Sequence, residues 1–391
     1  MKLKMRDSLT LLALLKISIF LQCYVLYSAA NYNSQAPAAP ALYVFGDSLL
    51  DSGNNNFLLT IARANFKPYG VNFASGATGR FTNGKTVADF IAEYLGLQFS
   101  PPYMSFHGSV PLTGLNYASG ACGIVPETGK YIGKCLSLYQ QIDLFQQTIE
   151  FKLPSQYEGI EKKLSMYLSN RYLCSPWEAM TTSIIIFSLT STTQVGVTLP
   201  KHLPNFSWIS SLNNFSIGGV RTTSTRLYKL GARKVVTFEI GPIGCIPSIA
   251  RQNKHHGRCV EEINQLATVF NKQLATMLTN LTSTLQDSAF ILGHANWLGY
   301  DAIIRPSSYV KLPYSLQFSR LTGLTDSSNP CCITWANGTS GCIPGLVPCL
   351  NTDEHFFWDG FHLTEAVYSI IAARCINGTG VCIPMNIQEL V

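Results

Sequence analysis

Apolar residues recur along this 391-residue chain with two periods. Helical spacing runs through Leu138, Ile142, Phe145 and Ile149, and again through Val260, Ile263, Ala267, Phe270, Leu274, Met277 and Leu281. Each stripe marks a helix with one buried face, and core packing explains it better than a cofactor site. Residues 86–95 predict a further helix that Gly96 can cap, and residues 364–375 predict a closing one. Between the helices lie short continuous apolar runs at 41–45, 234–240 and 289–292. Runs of that kind are strands buried on both faces. Strands alternating with helices predict an α/β fold with a mostly parallel sheet covered on both sides. Ligands on such sheets bind beyond the carboxyl ends of the strands, which is where Ser48 falls after the first run.

The ends of the chain change this picture first. Lys2, Lys4 and Arg6 form a basic start, an apolar run covers 9–26, and Ser28-Ala29-Ala30 offers small residues for cleavage. Residues 1–30 therefore read as a secretory signal peptide. Lys16 and Gln22 interrupt the run, which argues against a stable membrane anchor. Residues 31–391 hold no Pro/Ser-rich linker and no repeat, so they read as one sizeable domain. The net charge of +6 is spread thinly and partly sits in the leader, so no nucleic-acid partner is implied. Asn-X-Ser/Thr sequons start at Asn205, Asn214, Asn280, Asn337 and Asn377, as suits a secreted surface.

Twelve cysteines fit an oxidising compartment. Cys23 falls in the leader and leaves an odd number behind. Cys122 lies near Cys135, Cys245 near Cys259 and Cys375 near Cys382, so local disulfides are expected there. Cys331 and Cys332 are expected to bond with Cys342 and Cys349, in either pairing. A zinc site made by these four is the competing reading, but no finger-type His/Cys pattern surrounds them.

Candidate chemistry sits at opposite ends of the chain. Phe45-Gly46-Asp47-Ser48-Leu49 and Trp358-Asp359-Gly360-Phe361-His362 together supply a serine, an aspartate and a histidine. A serine hydroxyl needs an imidazole to take its proton and a carboxylate to orient that imidazole. Asp359 and His362, three residues apart, can share one turn and face the same serine. A Gly-Asp-Ser tripeptide alone is more often only a turn, so the flanking sequence decides. No Gly-X-Ser-X-Gly elbow surrounds Ser48, which argues against an α/β-hydrolase.

The flanks resemble the plant-type GDSL esterase/lipase family of SGNH hydrolases over nearly the whole of 31–391. The matching runs are Phe45-Gly46-Asp47-Ser48-Leu49-Leu50-Asp51-Ser52-Gly53-Asn54-Asn55-Asn56, then Asn116-Tyr117-Ala118-Ser119-Gly120. Gly231-Ala232-Arg233-Lys234 with Gly241-Pro242-Ile243-Gly244-Cys245 follows, then Phe357-Trp358-Asp359-Gly360-Phe361-His362, with Leu363 where a proline is usual. The resemblance implies a three-layer α/β/α SGNH-hydrolase (flavodoxin-like) fold with a mostly parallel sheet. It implies Ser48 as nucleophile, His362 as general base and Asp359 as its partner, with the backbone N–H groups of Ser48 and Gly120 as oxyanion donors. The implied substrate is a small-molecule or lipid ester, with no metal or redox cofactor. The implied location is extracellular, in cell wall or apoplast. An acyltransferase of the same fold, and a secreted binding protein that has lost turnover, are the alternatives.

One family feature is missing. A third oxyanion donor, the asparagine of a Gly-Ser-Asn-Asp-Tyr block, should end the next strand, yet the chain reads Ser188-Leu189-Thr190-Ser191-Thr192-Thr193. Thr192 is given no catalytic role. The genetic code offers an explanation in the frame that starts at each third base. Trp177 followed by Glu178 must then give Gly, and Met180 followed by Thr181 must give Asp. The codons around them permit Met-Gly-Ser-Asn-Asp-Tyr, the absent block. Across 195–214 the same frame permits an amphipathic segment with a helix start, which the written residues lack. Cys174 lies in this stretch, and removing it makes the cysteine count even. Residues 171–214 are therefore expected to be out of frame, and to look irregular or loosely packed.

Overall fold

A computed structural model describes residues 37–124, 126–155, 184–188, 207–309 and 323–391. The leader, Cys174, Asn205 and most of the 171–214 stretch lie outside them. Ala39–Val391 forms one compact unit.

Period-two alternation builds the layers. In β1 (Leu42–Phe45), Leu42 and Val44 enter one apolar cluster, while Tyr43 and Phe45 enter another on the opposite face. The strands β3 (Lys234–Phe238) and β4 (Ala289–Gly293) do the same, with Val236 and Ile291 on the first side and Val235, Phe290 and Leu292 on the second. Helix α1 (Val87–Tyr94) covers the first face together with α5 (Ala295–Ile304) and α6 (Glu365–Ile376). The second face takes α2 (Leu138–Gln147), α3 (Ser207–Lys229) and α4 (Glu261–Thr284). The result is the expected three-layer α/β/α arrangement.

The central sheet runs in the order β1-β2-β3-β4-β7, where β2 is Ile184–Ser188 and β7 is Cys382–Ile383. All its pairings are parallel except β4 with β7. Residue Asn116 bridges to Val44 and lays its segment along the free side of β1. A separate parallel pair joins β5 (Asp326–Pro330) to β6 (His355–Phe357). No helix among the described residues is long and apolar enough to cross a membrane.

Element ends follow local chemistry. Thr86 caps α1 in a box with Asp89, whose carboxylate also takes two hydrogen bonds from Arg80 at 2.8 and 2.7 Å. That buried ion pair ties α1 to the segment before it. The strand predicted over 234–240 stops at Phe238, and the Ile240 N–H and carbonyl are taken by the Asn271 side chain rather than by a neighbouring strand.

The stretch expected to be irregular differs in two places. Ile184–Ser188 pairs in register with both β1 and β3, and α3 starts at Ser207. A run of three isoleucines and a phenylalanine carries the propensity of a central strand whatever its origin, and it fills the slot between β1 and β3.

Five disulfides form where they were expected: Cys122–Cys135, Cys245–Cys259 and Cys375–Cys382, with Cys331–Cys349 and Cys332–Cys342 settling the open pairing. The zinc reading is thereby corrected, since sulfurs bonded to one another offer no thiolate.

Candidate active site

Gly46 follows β1 with φ 140°, a conformation open to glycine, and turns the chain out of the sheet. The Gln141 side chain from α2 clamps it, accepting from its N–H at 2.9 Å and donating to its carbonyl at 2.8 Å. Asp47 then closes a tight turn. Its carboxylate accepts from Leu49 N–H at 2.9 Å, and its carbonyl accepts from the N–H groups of Leu50 and Asp51 at 3.2 and 3.0 Å. Ser48 is thus held near the apex of a turn beyond the carboxyl end of β1.

The histidine arrives from the other end of the chain on a turn that Asp359 organises. Asp359 Oδ1 accepts from the N–H groups of Phe361 and His362, both at 2.8 Å. Gly360 passes so close to the Thr339–Ser340 backbone that an added Cβ would fall 2.7 Å from Ser340 N, so only glycine fits there. His362 Nδ1 lies 2.8 Å from both carboxylate oxygens of Asp359 and donates its hydrogen to them. Its Nε2 is then the acceptor facing Ser48 Oγ, also at 2.8 Å. Burial is nearly complete, with Ser48 and His362 at 4% exposure and Asp359 at 0%. The three residues singled out from sequence meet as a hydrogen-bonded relay.

Electrostatics keep the relay charged in the right place. Burial pushes Asp359 toward neutrality, but His362, the Tyr69 hydroxyl and the Phe361 N–H outweigh it and hold the carboxyl below its ordinary range. The Phe81 ring lies 5.0 Å from the His362 ring and covers it.

Gly120, the second expected oxyanion donor, is hydrogen-bonded at both backbone groups. Its N–H donates to Asp51 Oδ2 at 3.0 Å and its carbonyl accepts from Asn55 Nδ2 at 2.9 Å. A Cβ on Gly120 would meet the Phe81 ring at 2.7 Å, so the residue must stay small. Asp51 also accepts from Gly53 and Asn54 N–H, both at 2.7 Å. Burial lifts the Asp51 carboxyl to about 6, against the pull of these N–H donors. Ser188 closes β2, and residues 189–193, where the asparagine should stand, lie outside the described residues.

Beside Ser48 and His362 opens a cavity of about 110 Å3, well above the roughly 10–15 Å3 that admits one water. Phe238, Ile246, Ile303, Phe356, Phe357 and Ile371 make most of its wall apolar. Glu239 is its charged member, and its carboxylate is engaged by His294 Nδ1 at 2.9 Å and Asn296 N–H at 3.1 Å. The Glu239 hydrogen bond, only partly offset by burial, raises the His294 pKa.

Sequence reasoning gave no role to Tyr69, Gln141 or Phe81, and quoted Asp51 only within a motif. Asp51 carried a usable signal, a carboxylate two and three residues before the Gly53 and Asn54 amides that it caps. The others reach the site only through the fold.

A model of the GDSL-like lipase/acylhydrolase family matches residues 42–168 and 193–375, leaving 169–192 unmatched. Among similar proteins of Arabidopsis thaliana, GDSL esterase/lipase At5g08460 is 35% identical over 99% of this chain and 96% of its own length. GDSL esterase/lipase At1g71691 is 37% identical over 92% of this chain and 88% of its own. GDSL esterase/lipase 7 is 37% identical over 90% and 92%. With both flanks of the unmatched interval and the relay residues inside the match, the chain belongs to the GDSL-like lipase/acylhydrolase family of carboxylic ester hydrolases.

Proposed function

We propose that the protein is a secreted serine esterase or lipase that forms an acyl-enzyme on Ser48. The observation that carries this reading is the continuous chain of hydrogen bonds from Ser48 Oγ through His362 to the buried Asp359. Ser48 Oγ attacks the ester carbonyl while His362 Nε2 takes its proton, and Asp359 stabilises the imidazolium. The same proton passes to the departing alcohol. Water, deprotonated by His362, then releases the acid. The N–H of Ser48 and that of Gly120 are the proposed oxyanion donors, and recruiting Gly120 costs its hydrogen bond to Asp51. Five disulfides suit the oxidising exterior in which this reading places the protein.

A fluorophosphonate that labels serine nucleophiles tests the reading. It is expected to modify Ser48 in the purified protein and to leave Ser48→Ala untouched. Absence of label on folded protein would favour the binding-protein alternative, which the interrupted family match supports.

The apolar cavity is where the acyl chain is proposed to lie, and it gives a second prediction. A Cβ on Gly241 would meet nothing within 4 Å, and Gly241 lines the cavity. In Gly241→Leu the new side chain takes space from the acyl tail. Each buried methylene contributes about 0.8 kcal/mol, so loss of two or more should lower kcat/KM for a long-chain ester at least tenfold. Acetyl ester turnover should change little. Equal losses on both esters would show that the chain does not enter this cavity.

A further inference from the structure

The Asp359 carboxylate has a partner outside the relay. Tyr69 Oη lies 2.7 Å from Asp359 Oδ2, across 290 residues of sequence, and both groups are buried. The same oxygen accepts from the Cys342 backbone N–H at 3.2 Å. A hydroxyl that accepts on one side has its own hydrogen directed to the other, so the Cys342 N–H aims the Tyr69 proton at Asp359. Cys342 is itself pinned by its disulfide to Cys332. The ring is wedged in a small apolar cluster with Ala64, Phe81, Cys331, Cys332 and Trp358. Phe66 and Phe81 meet it edge-on at 5.2 and 6.2 Å.

We infer that Tyr69 is a positioning residue for the triad, which couples the Cys332–Cys342 loop to the carboxylate that orients His362. It is absent from the wall of the cavity beside Ser48, and it acts through Asp359. Asp359 Oδ2 shares its charge between two donors, the Tyr69 hydroxyl and His362 Nδ1. The tyrosine therefore does two things. It fixes the carboxylate in the plane that the imidazole needs, and it draws off negative charge that would otherwise hold the imidazolium too firmly. Burial first, then the charge of Asp359, puts the Tyr69 pKa well above its ordinary value, so it stays a donor throughout the working range. The other ionisable groups close by are His362 itself and Tyr368 on α6, whose buried hydroxyl feels the charges of Asp47, Asp359 and Asp89. Tyr368 remains protonated for the same reason as Tyr69. Asp47 belongs to the nucleophile turn and Asp89 is paired with Arg80.

The inference rests on the esterase reading for its consequence, but not for its test. Tyr69→Phe keeps the ring and deletes the donor. The proton on His362 Nδ1 can be followed by NMR without any turnover, and in Tyr69→Phe it is expected to move downfield as Asp359 binds it harder. The pH dependence of fluorophosphonate labelling gives the second readout. Its acidic limb should move to higher pH by roughly half a unit or more, because the protonated imidazole is then favoured. The labelling rate at neutral pH should fall on the order of ten- to hundredfold. In an Asp359→Asn background, Tyr69→Phe should change little further.

A milder variant guards against misfolding. A Cβ on Gly341 would come 3.0 Å from the Tyr69 hydroxyl, so Gly341→Ala should displace that group slightly and give the same shifts at smaller size. If wild type fails to label but the NMR proton still responds to Tyr69→Phe, the esterase reading falls and the positioning role stands. If wild type labels and Tyr69→Phe leaves both the proton and the acidic limb unmoved, the positioning role is overturned.

Discussion

Ser48→Ala and His362→Ala are each expected to remove nearly all ester hydrolysis, with kcat falling by about 10^6 in the range known for serine hydrolase triads. Asp359→Asn should cost less, about 10^4, because it leaves a nucleophile and a base but spoils the tautomer. The distances make these numbers interdependent. Ser48 Oγ, His362 Nε2, His362 Nδ1 and Asp359 form a single chain with 2.8 Å links, so removing one member idles the rest. The double variant Ser48→Ala, His362→Ala should therefore be no slower than either single one. Esterase assays on the four proteins, with circular dichroism to confirm folding, measure this. Multiplying effects in the double variant would mean that the two residues act separately, and the relay would fail as the site of chemistry.

Much of this was legible in the chain because it is local or periodic. Alternation places Leu42 and Val44 opposite Tyr43 and Phe45, and a reader of four residues can predict two core faces. The stripe from Val260 to Leu281 became α4, and the helix expected over 86–95 forms as α1. Asp359 and His362 were close enough to share a turn by inspection. Contacts that only tertiary structure creates were not legible. Cys382–Ile383 is two residues long, too short for any period; it pairs antiparallel with β4, and its disulfide ties it to Cys375 of α6. The segment at Asn116 joins the sheet with no apolar run to mark it. The motif marked Gly120, but not the Asp51 carboxylate, 69 residues earlier, that accepts from its N–H. Local sequence can say that an amide is available, but not which acceptor the fold brings to it.

Replacing 171–214 by the shifted-frame reading is expected to raise esterase activity at least a hundred- to thousandfold over the written chain. Two forced residues, Gly and Asp, carried the argument from the codons of Trp177, Glu178, Met180 and Thr181. The family match stops at 168 and resumes at 193, so these four residues lie in its gap, while 193–214 lie inside it as written. Ten cysteines pair among themselves in the described residues, and the Cys174 that the shift deletes is not one of them. The two frames also dispute one slot in the sheet. As written, Ile184–Ser188 lies between β1 and β3 and ends at Ser188. In the shifted frame the Gly-Ser-Asn block falls earlier, at Trp177 to Met180, and the residues before it are expected to take that slot. An asparagine amide would then stand beside Ser48, where a tetrahedral oxyanion forms. One fixed donor of this kind contributes about 2.7–4 kcal/mol to the transition state, the source of the expected factor. It matters more here because the Gly120 N–H is already engaged by Asp51. Sequencing transcripts across the segment, and assaying both proteins on one acyl ester, tests cause and consequence together. Transcripts in the written frame, with no gain of activity in the replaced protein, would defeat both the frameshift and the role given to the missing asparagine.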